Sequence, residues 1–289
     1  MSLNPTDRRF CLLCAASLLI WGRAFCTTLA LALRNDAYTH ILLVLPVSVA
    51  LIILGRRRQQ WKPFPGIRLG SALLSLAALT GLAGLSWGKV DILGTDLRLA
   101  IEMLALVTWW IGSFVFCFGL QAFRRALFPL LFLLWLVPMP QLVVKDAIAL
   151  LQAGTASCAR ELFTLIGVPV AQDGTALTVP GLTIKVAEEC SSIRSSMMLI
   201  VTSTIMSYLL VRSLWGRTTV ILTAIPLCIA KNGLRVFTLT ALASFGNPAI
   251  LDSPLHHQGG PLFLGIALAA VFACIALVSR LERKEAPAV

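Results

Sequence analysis

The chain has 289 residues, 58% of them hydrophobic and 13% charged, with a mean hydropathy of +0.87 and a formal net charge of +11. Soluble domains carry about 25% charged residues, so this composition excludes a cytosolic enzyme and a disordered chain. The basic excess sits in short clusters between apolar runs, which reads as the loops of a multi-pass membrane protein rather than a nucleic-acid surface.

A spanning helix needs about 20 mainly apolar residues, and eight runs qualify: 10–33, 38–55, 70–87, 97–120, 126–144, 195–212, 218–243 and 261–279. The first contains Arg23 and lacks a convincing cleavage site, so it is read as a span and not a removable signal. Lys and Arg set the orientation. Arg8 and Arg9, Arg56 to Arg58 with Lys62 and Arg68, Arg124 and Arg125, Arg212 and Arg217, and Arg280, Arg283 and Lys284 all fall on one side if the count is eight. That side is expected to be cytoplasmic and to hold both termini. The fold class predicted is an all-α polytopic membrane protein, with 1–289 forming one integral membrane domain.

The long excursion on the opposite side, 141–194, is the anomaly. Gln141 to Gly167 mixes apolar residues with Lys145, Asp146, Arg160 and Glu161, and predicts one or two amphipathic helices in the membrane interface. Thr175 to Val186 has two β-type runs around Pro180-Gly181, a hairpin signal. The excursion delivers the chain to Glu188-Glu189-Cys190-Ser191-Ser192, just ahead of the sixth span.

Eight cysteines over this length are not a disulfide scaffold. Cys11, Cys14, Cys26, Cys117, Cys228 and Cys274 lie within apolar runs and read as small buried hydrophobes. Cys190 differs. It stands at a predicted helix N-terminus with Arg194 close by, an environment that favours a thiolate; the alternative is a structural thiol. In the following span Lys231 and Arg235 are four residues apart and share a helix face. Charges inside a span usually face a cavity or a partner, although snorkelling to the outer headgroups would also accommodate them. Of three histidines, His256 and His257 fall in the outer loop before the last span. A nucleophile, a proton carrier and an oxyanion stabiliser brought to one membrane face are what acyl transfer needs. No HExxH, GxSxG or phosphate-cradling Gly loop is present. A metal at Asp252, His256 and His257 is not expected, because the two histidines are adjacent to each other rather than at helical ligand spacing, and no cofactor is implied.

At these residues the chain resembles the exosortases, with archaeosortases as relatives. Val186-Ala-Glu-Glu-Cys-Ser-Ser-Ile-Arg-Ser195 is similar to the family's V-x-E-x-C-S-G-I-R-S stretch, with Ser192 in place of the usual Gly. Asn232-x-x-Arg235 resembles its N-x-x-R. His256 with Gly260 resembles its H-x-x-x-G, with His257 where an acidic residue is common. Asp36-Ala-Tyr-Thr-His40, Pro138-Met-Pro140 and Gly167-Val-Pro-Val170 extend the likeness to nearly the full length.

The resemblance implies a core-only bacterial inner-membrane cysteine transpeptidase or protease with its site outside the cytoplasm. Its partners would be exported proteins ending in a Pro-Glu-Pro-like motif, a transmembrane helix and a basic tail, together with an acceptor nucleophile and membrane lipid. Cys190, Arg235 and His256 would be catalytic, with His257 the alternative histidine and Arg194, Glu188 and Asn232 in support. Tyr38 and His40 would line the outer cavity or simply anchor the interface. The rival from another class is a transporter or scaffold in polysaccharide export, with Arg235 and Lys231 as a solute or proton site.

Overall fold

The computed structural model describes residues 4–59, 64–87, 94–186, 193–246 and 260–285. Among these, eight helices are long and apolar enough to cross a membrane. The chain is an all-α polytopic membrane protein with one small sheet, in two compact units, Met1–Val143 and Val144–Val289.

In the first unit α1 (Pro5–Arg34) and α2 (Ile41–Gln59) are joined by a 3₁₀ turn, Asp36–Tyr38. They run antiparallel, because Asp7 near the start of α1 pairs with Arg56 near the end of α2 at 2.5 Å. α3 (Ile67–Trp87) and α4 (Gly94–Arg125) form a close pair. Its glycines explain the closeness: a Cβ built on Gly70 would lie 2.5 Å from the Phe116 Cα, and one on Gly112 3.0 Å from the Leu73 Cβ. Small residues let backbones approach where water supplies no driving force between helices. Aromatic side chains then fasten α1 to α4. Trp110 donates to the Ser17 hydroxyl at 2.9 Å, Trp109 donates to the Leu13 carbonyl at 3.0 Å, and Phe10 meets the Phe114 and Phe118 rings edge-on.

Gly119 interrupts α4 with φ 83° and ψ 176°, a conformation open essentially only to glycine. The interruption leaves carbonyls for the chain entering α3: Phe64 N–H donates to the Phe118 carbonyl and Gly66 N–H to that of Val115. A side chain at 119 is impossible without movement, since its Cβ would sit 1.8 Å from the Phe64 carbonyl oxygen.

The expected fifth span, 126–144, is corrected here. It is not one helix but a short α-helix, α5 (Leu127–Phe132), a 3₁₀ turn (Leu133–Leu136) and an extended exit. Pro138 and Pro140 are the reason. The residue before a proline is pushed out of the helical region, and Val137 has ψ 115°. The segment still traverses the unit. It leaves the Arg124–Arg125 end and finishes beside the α1–α2 connection, where Trp135 meets the His40 ring and Tyr38 donates to the Met139 carbonyl.

The stretch expected after residue 141 as one or two amphipathic helices is a single 25-residue helix, α6 (Gln141–Leu165), whose mean hydropathy, 1.3, is the lowest of the eight helices long and apolar enough to cross. It ends on a glycine cap: Val168 N–H reaches back to the Phe163 carbonyl and Gly167 N–H to that of Thr164. The expected hairpin is present and gains a strand. β1 (Ala171–Asp173), β2 (Ala176–Val179) and β3 (Leu182–Lys185) form an antiparallel sheet in the order β1-β2-β3. Val179 pairs with Leu182 across Pro180-Gly181, with Gly181 at φ 79° as a type II turn requires.

α7 (Ile193–Leu210), α8 (Leu214–Phe245) and α9 (Gly260–Glu285) pack around Leu199, Val220, Cys228, Ala267, Val271 and Ile275. Ser213 caps α8 by accepting from Gly216 N–H at 2.9 Å. Glu282 of α9 accepts from the backbone N–H groups of Arg212 and Ser213 and from the Ser213 hydroxyl. Arg212, Arg217, Arg283 and Lys284 therefore share one end of this unit, as Arg56 and the adjoining Arg57 and Arg58 share one end of the other with Asp7.

Candidate active site

Three residues of one short stretch, Lys231-Asn232-Gly233-Leu234-Arg235, put polar groups inside apolar helices. Lys231 is 5% exposed, Asn232 1% and Arg235 8%. Helical spacing places Lys231 and Arg235 on one face, and that face is turned into the protein. Snorkelling is thereby corrected for Lys231: its ammonium is held inside by two short hydrogen bonds, donated to the Ser195 hydroxyl and to the Asn232 side-chain carbonyl, each at 2.6 Å. An ammonium is buried at this depth only when hydrogen-bonded or paired.

Ser195 belongs to the first turn of α7, so these bonds fix the start of α7 against the middle of α8. Next to them Cys228 Sγ lies 3.6 Å from the Ser196 carbonyl. Gly233 lets a third helix approach. A Cβ there would fall 2.5 Å from Cys158 Sγ and 2.6 Å from its Cβ, both on α6. One helical turn further, the Phe163 and Phe237 rings meet at 4.8 Å. The sheet closes the same region: Leu177 of β2 and Val186 join Ala156 and Ala159 of α6 and Val236 of α8 in one buried cluster. At the sheet's turn Ser244 donates to the Pro180 carbonyl at 3.0 Å.

Asn232 and Arg235 are buried together in the second unit, and Arg194 is exposed on the first turn of α7. Tyr38 and His40 are buried in the first unit, where one ties down Met139 and the other packs on Trp135. Cys190, Glu188, His256 and His257 lie outside the described residues. Ser195 stood in the motif stretch without a role, and its pairing with Lys231 is a tertiary contact that spacing does not announce. Among the described residues no three His, Cys, Asp or Glu side chains converge as a metal site would require.

Chemically, this is a cationic, hydrogen-bond-donating centre in a dry setting, where each such interaction is worth far more than in water. The architecture is that of a multi-pass helical membrane protein with a buried basic centre at the meeting of two helices and a sheet-bearing excursion. The family model for the transmembrane exosortases (Exosortase_EpsH) matches residues 21–273, and the chain belongs to that family. No curated protein and no solved structure matches it.

Proposed function

We propose that this protein is a membrane cysteine transpeptidase or peptidase that removes the C-terminal sorting signal of exported proteins. The observation that supports this best is the anchoring of both ends of the segment carrying Cys190. Val186 packs in the cluster with Val236, and Ser195 is hydrogen-bonded to Lys231. Cys190 is four residues from the first anchor and three from the start of α7, so its reach is at most about 14 Å and about 11 Å from them. Both anchors stand on the part of α8 that bears Asn232 and Arg235.

In the proposed reaction the Cys190 thiolate attacks the scissile carbonyl of a substrate bearing a Pro-Glu-Pro-like motif, a membrane helix and a basic tail. His256, or its neighbour His257, protonates the departing amine. The resulting thioester is resolved by an acceptor nucleophile, or by water, after the same histidine removes its proton. Arg235 steadies the oxyanion or the thiolate, Asn232 holds Lys231, and Arg194 and Glu188 adjoin the substrate. With residues 127–140 as the fifth crossing and α6 lying along the outer interface, which the distribution of Lys and Arg requires, the basic ends of the helices lie in the cytoplasm and the site opens on the outer face of the inner membrane.

The test is signal removal by Cys190→Ala in cells: processing is lost while membrane insertion persists. Undiminished processing overturns the assignment. Alkylation from outside the cell distinguishes a transporter, in which Cys190 would react slowly and with no dependence on Arg235.

A further inference from the structure

A cavity of about 580 Å³ in the first unit has no part in that reaction. It lies between α1 and α2, backed by Trp110 and Phe114 of α4 and closed by Leu130 and Leu133. Leu18, Val49 and Ile53 line it and are 40%, 46% and 46% exposed, so its mouth opens sideways on the apolar flank of the helices. Water has little to hold it there, because a buried water needs two to four polar partners. The lining offers the Ser48 hydroxyl and, at one end, the Asp7–Arg56 pair. A void of this size forfeits the dispersion contacts of its walls. Its size is within the range of ligand pockets, about 300–1,000 Å³.

The charge at that end is one-sided. Asp7 is engaged bidentately by Arg56, at 2.5 and 3.1 Å, and Arg56 also lies 5.3 Å over the Phe118 ring. Around the pair the exposed Arg8, Arg9, Arg57 and Arg58 add four guanidinium groups next to a single, already neutralised carboxylate. An apolar slot open to hydrocarbon, with cations at its headgroup end, fits an amphiphile whose head is a phosphate.

We propose that this cavity holds one acyl chain of an anionic phospholipid, with the phosphate at Arg8, Arg9, Arg57 and Arg58. The site is separate from the proposed cysteine chemistry, so either can fail alone. The full-length protein is reconstituted in phosphatidylcholine vesicles containing a trace of phosphatidylglycerol with a photoactivatable acyl chain, or phosphatidylcholine bearing the same chain. After illumination the adducts are located by peptide mass spectrometry. Phosphatidylglycerol labels the stretches Cys11–Leu18 and Val49–Ile53 several-fold more than phosphatidylcholine does. That labelling falls several-fold in Cys14→Trp, which fills the slot, in Val49→Trp, which obstructs its mouth, and in the combined Arg8→Gln, Arg9→Gln and Arg57→Gln variant. Equal labelling by the two lipids, or labelling indifferent to a Trp variant that inserts and melts normally, overturns the proposal and leaves only ordinary boundary lipid.

Discussion

Glycine brings helices together in both units, with different results. Between α3 and α4 the close approach at Gly70 and Gly112 is lined by Phe116 and Leu73, and the interruption at Gly119 is filled by backbone. Among the described residues no charged side chain of α3 or α4 is buried, and the contact is one of packing alone. Between α6 and α8 the approach at Gly233 is flanked along the helix by Lys231, Asn232 and Arg235, all buried. There the same device walls off cations from lipid and water alike. A glycine contact thus has a purely mechanical use in one place, while in the other it defines the surroundings of a polar centre. Substitutions should separate the two uses.

The largest effect is expected at Gly119. Gly119→Ala puts a Cβ 1.8 Å from the Phe64 carbonyl in a region closed to L side chains, and the kink must open. Strain and displaced contacts together cost about 3 kcal/mol or more, a fall of roughly 6–12 °C in melting temperature at the 2–4 °C per kcal/mol typical of such chains. Thermal unfolding in detergent measures it, and an unchanged midpoint would mean that the kink is incidental. Gly233→Ala is next, at about 1–3 kcal/mol, since the new Cβ meets both Cβ and Sγ of Cys158. In a double-mutant cycle with Cys158→Gly the two changes should couple favourably by at least about 0.5 kcal/mol. Strict additivity would place the strain elsewhere.

That contrast was only half visible in the sequence. Lys231 and Arg235 stood out because charge inside an apolar helix is expensive wherever it occurs, and their burial follows. Their partner Ser195 did not, since a hydroxyl in a membrane helix is commonplace and its pairing is set by how α7 meets α8. Gly119 gave no sign either: a single glycine within an apolar run is tolerated in a helix, and only its φ reveals the break. The apolar run at 126–144 reads as one continuous helix because hydropathy is blind to the break that Pro138 and Pro140 impose. The more polar run after residue 141 carries four charges, yet they sit in pairs toward its two ends with 13 uncharged residues between, so an 18-residue window holds only two of them. The sheet was legible at Pro180-Gly181, whereas β1 is three residues long and carries no periodicity of its own.

A smaller effect isolates the helix ends from the helix contacts. Ser213→Ala removes the cap on α8 and the bond to Glu282. Loss of such a cap costs about 1 kcal/mol, and signal processing should be untouched, because the change lies at the far end of α8 from Arg235. A loss of processing with no loss of stability would contradict the placement of the site at the other end.

The smallest change in stability is expected where the change in activity is large. Lys231→Met keeps the length of the side chain, deletes a charge that is costly to desolvate, and gives up two hydrogen bonds. Burying an ion and then satisfying it roughly offset one another, so exchanging it for an apolar isostere often leaves stability near neutral. A shift within about 1 kcal/mol is expected, alongside at least a tenfold fall in signal processing as the start of α7 loses its fixed register on α8. Lys231→Arg should recover part of the processing, since a guanidinium can still donate to Ser195. Were Lys231→Met instead to cost about 3–5 kcal/mol, as breaking a buried ion pair does, the ammonium would be holding the fold together, as Gly119 does in the other unit. The buried cations would then be structural in origin, and the difference between the two glycine contacts would disappear.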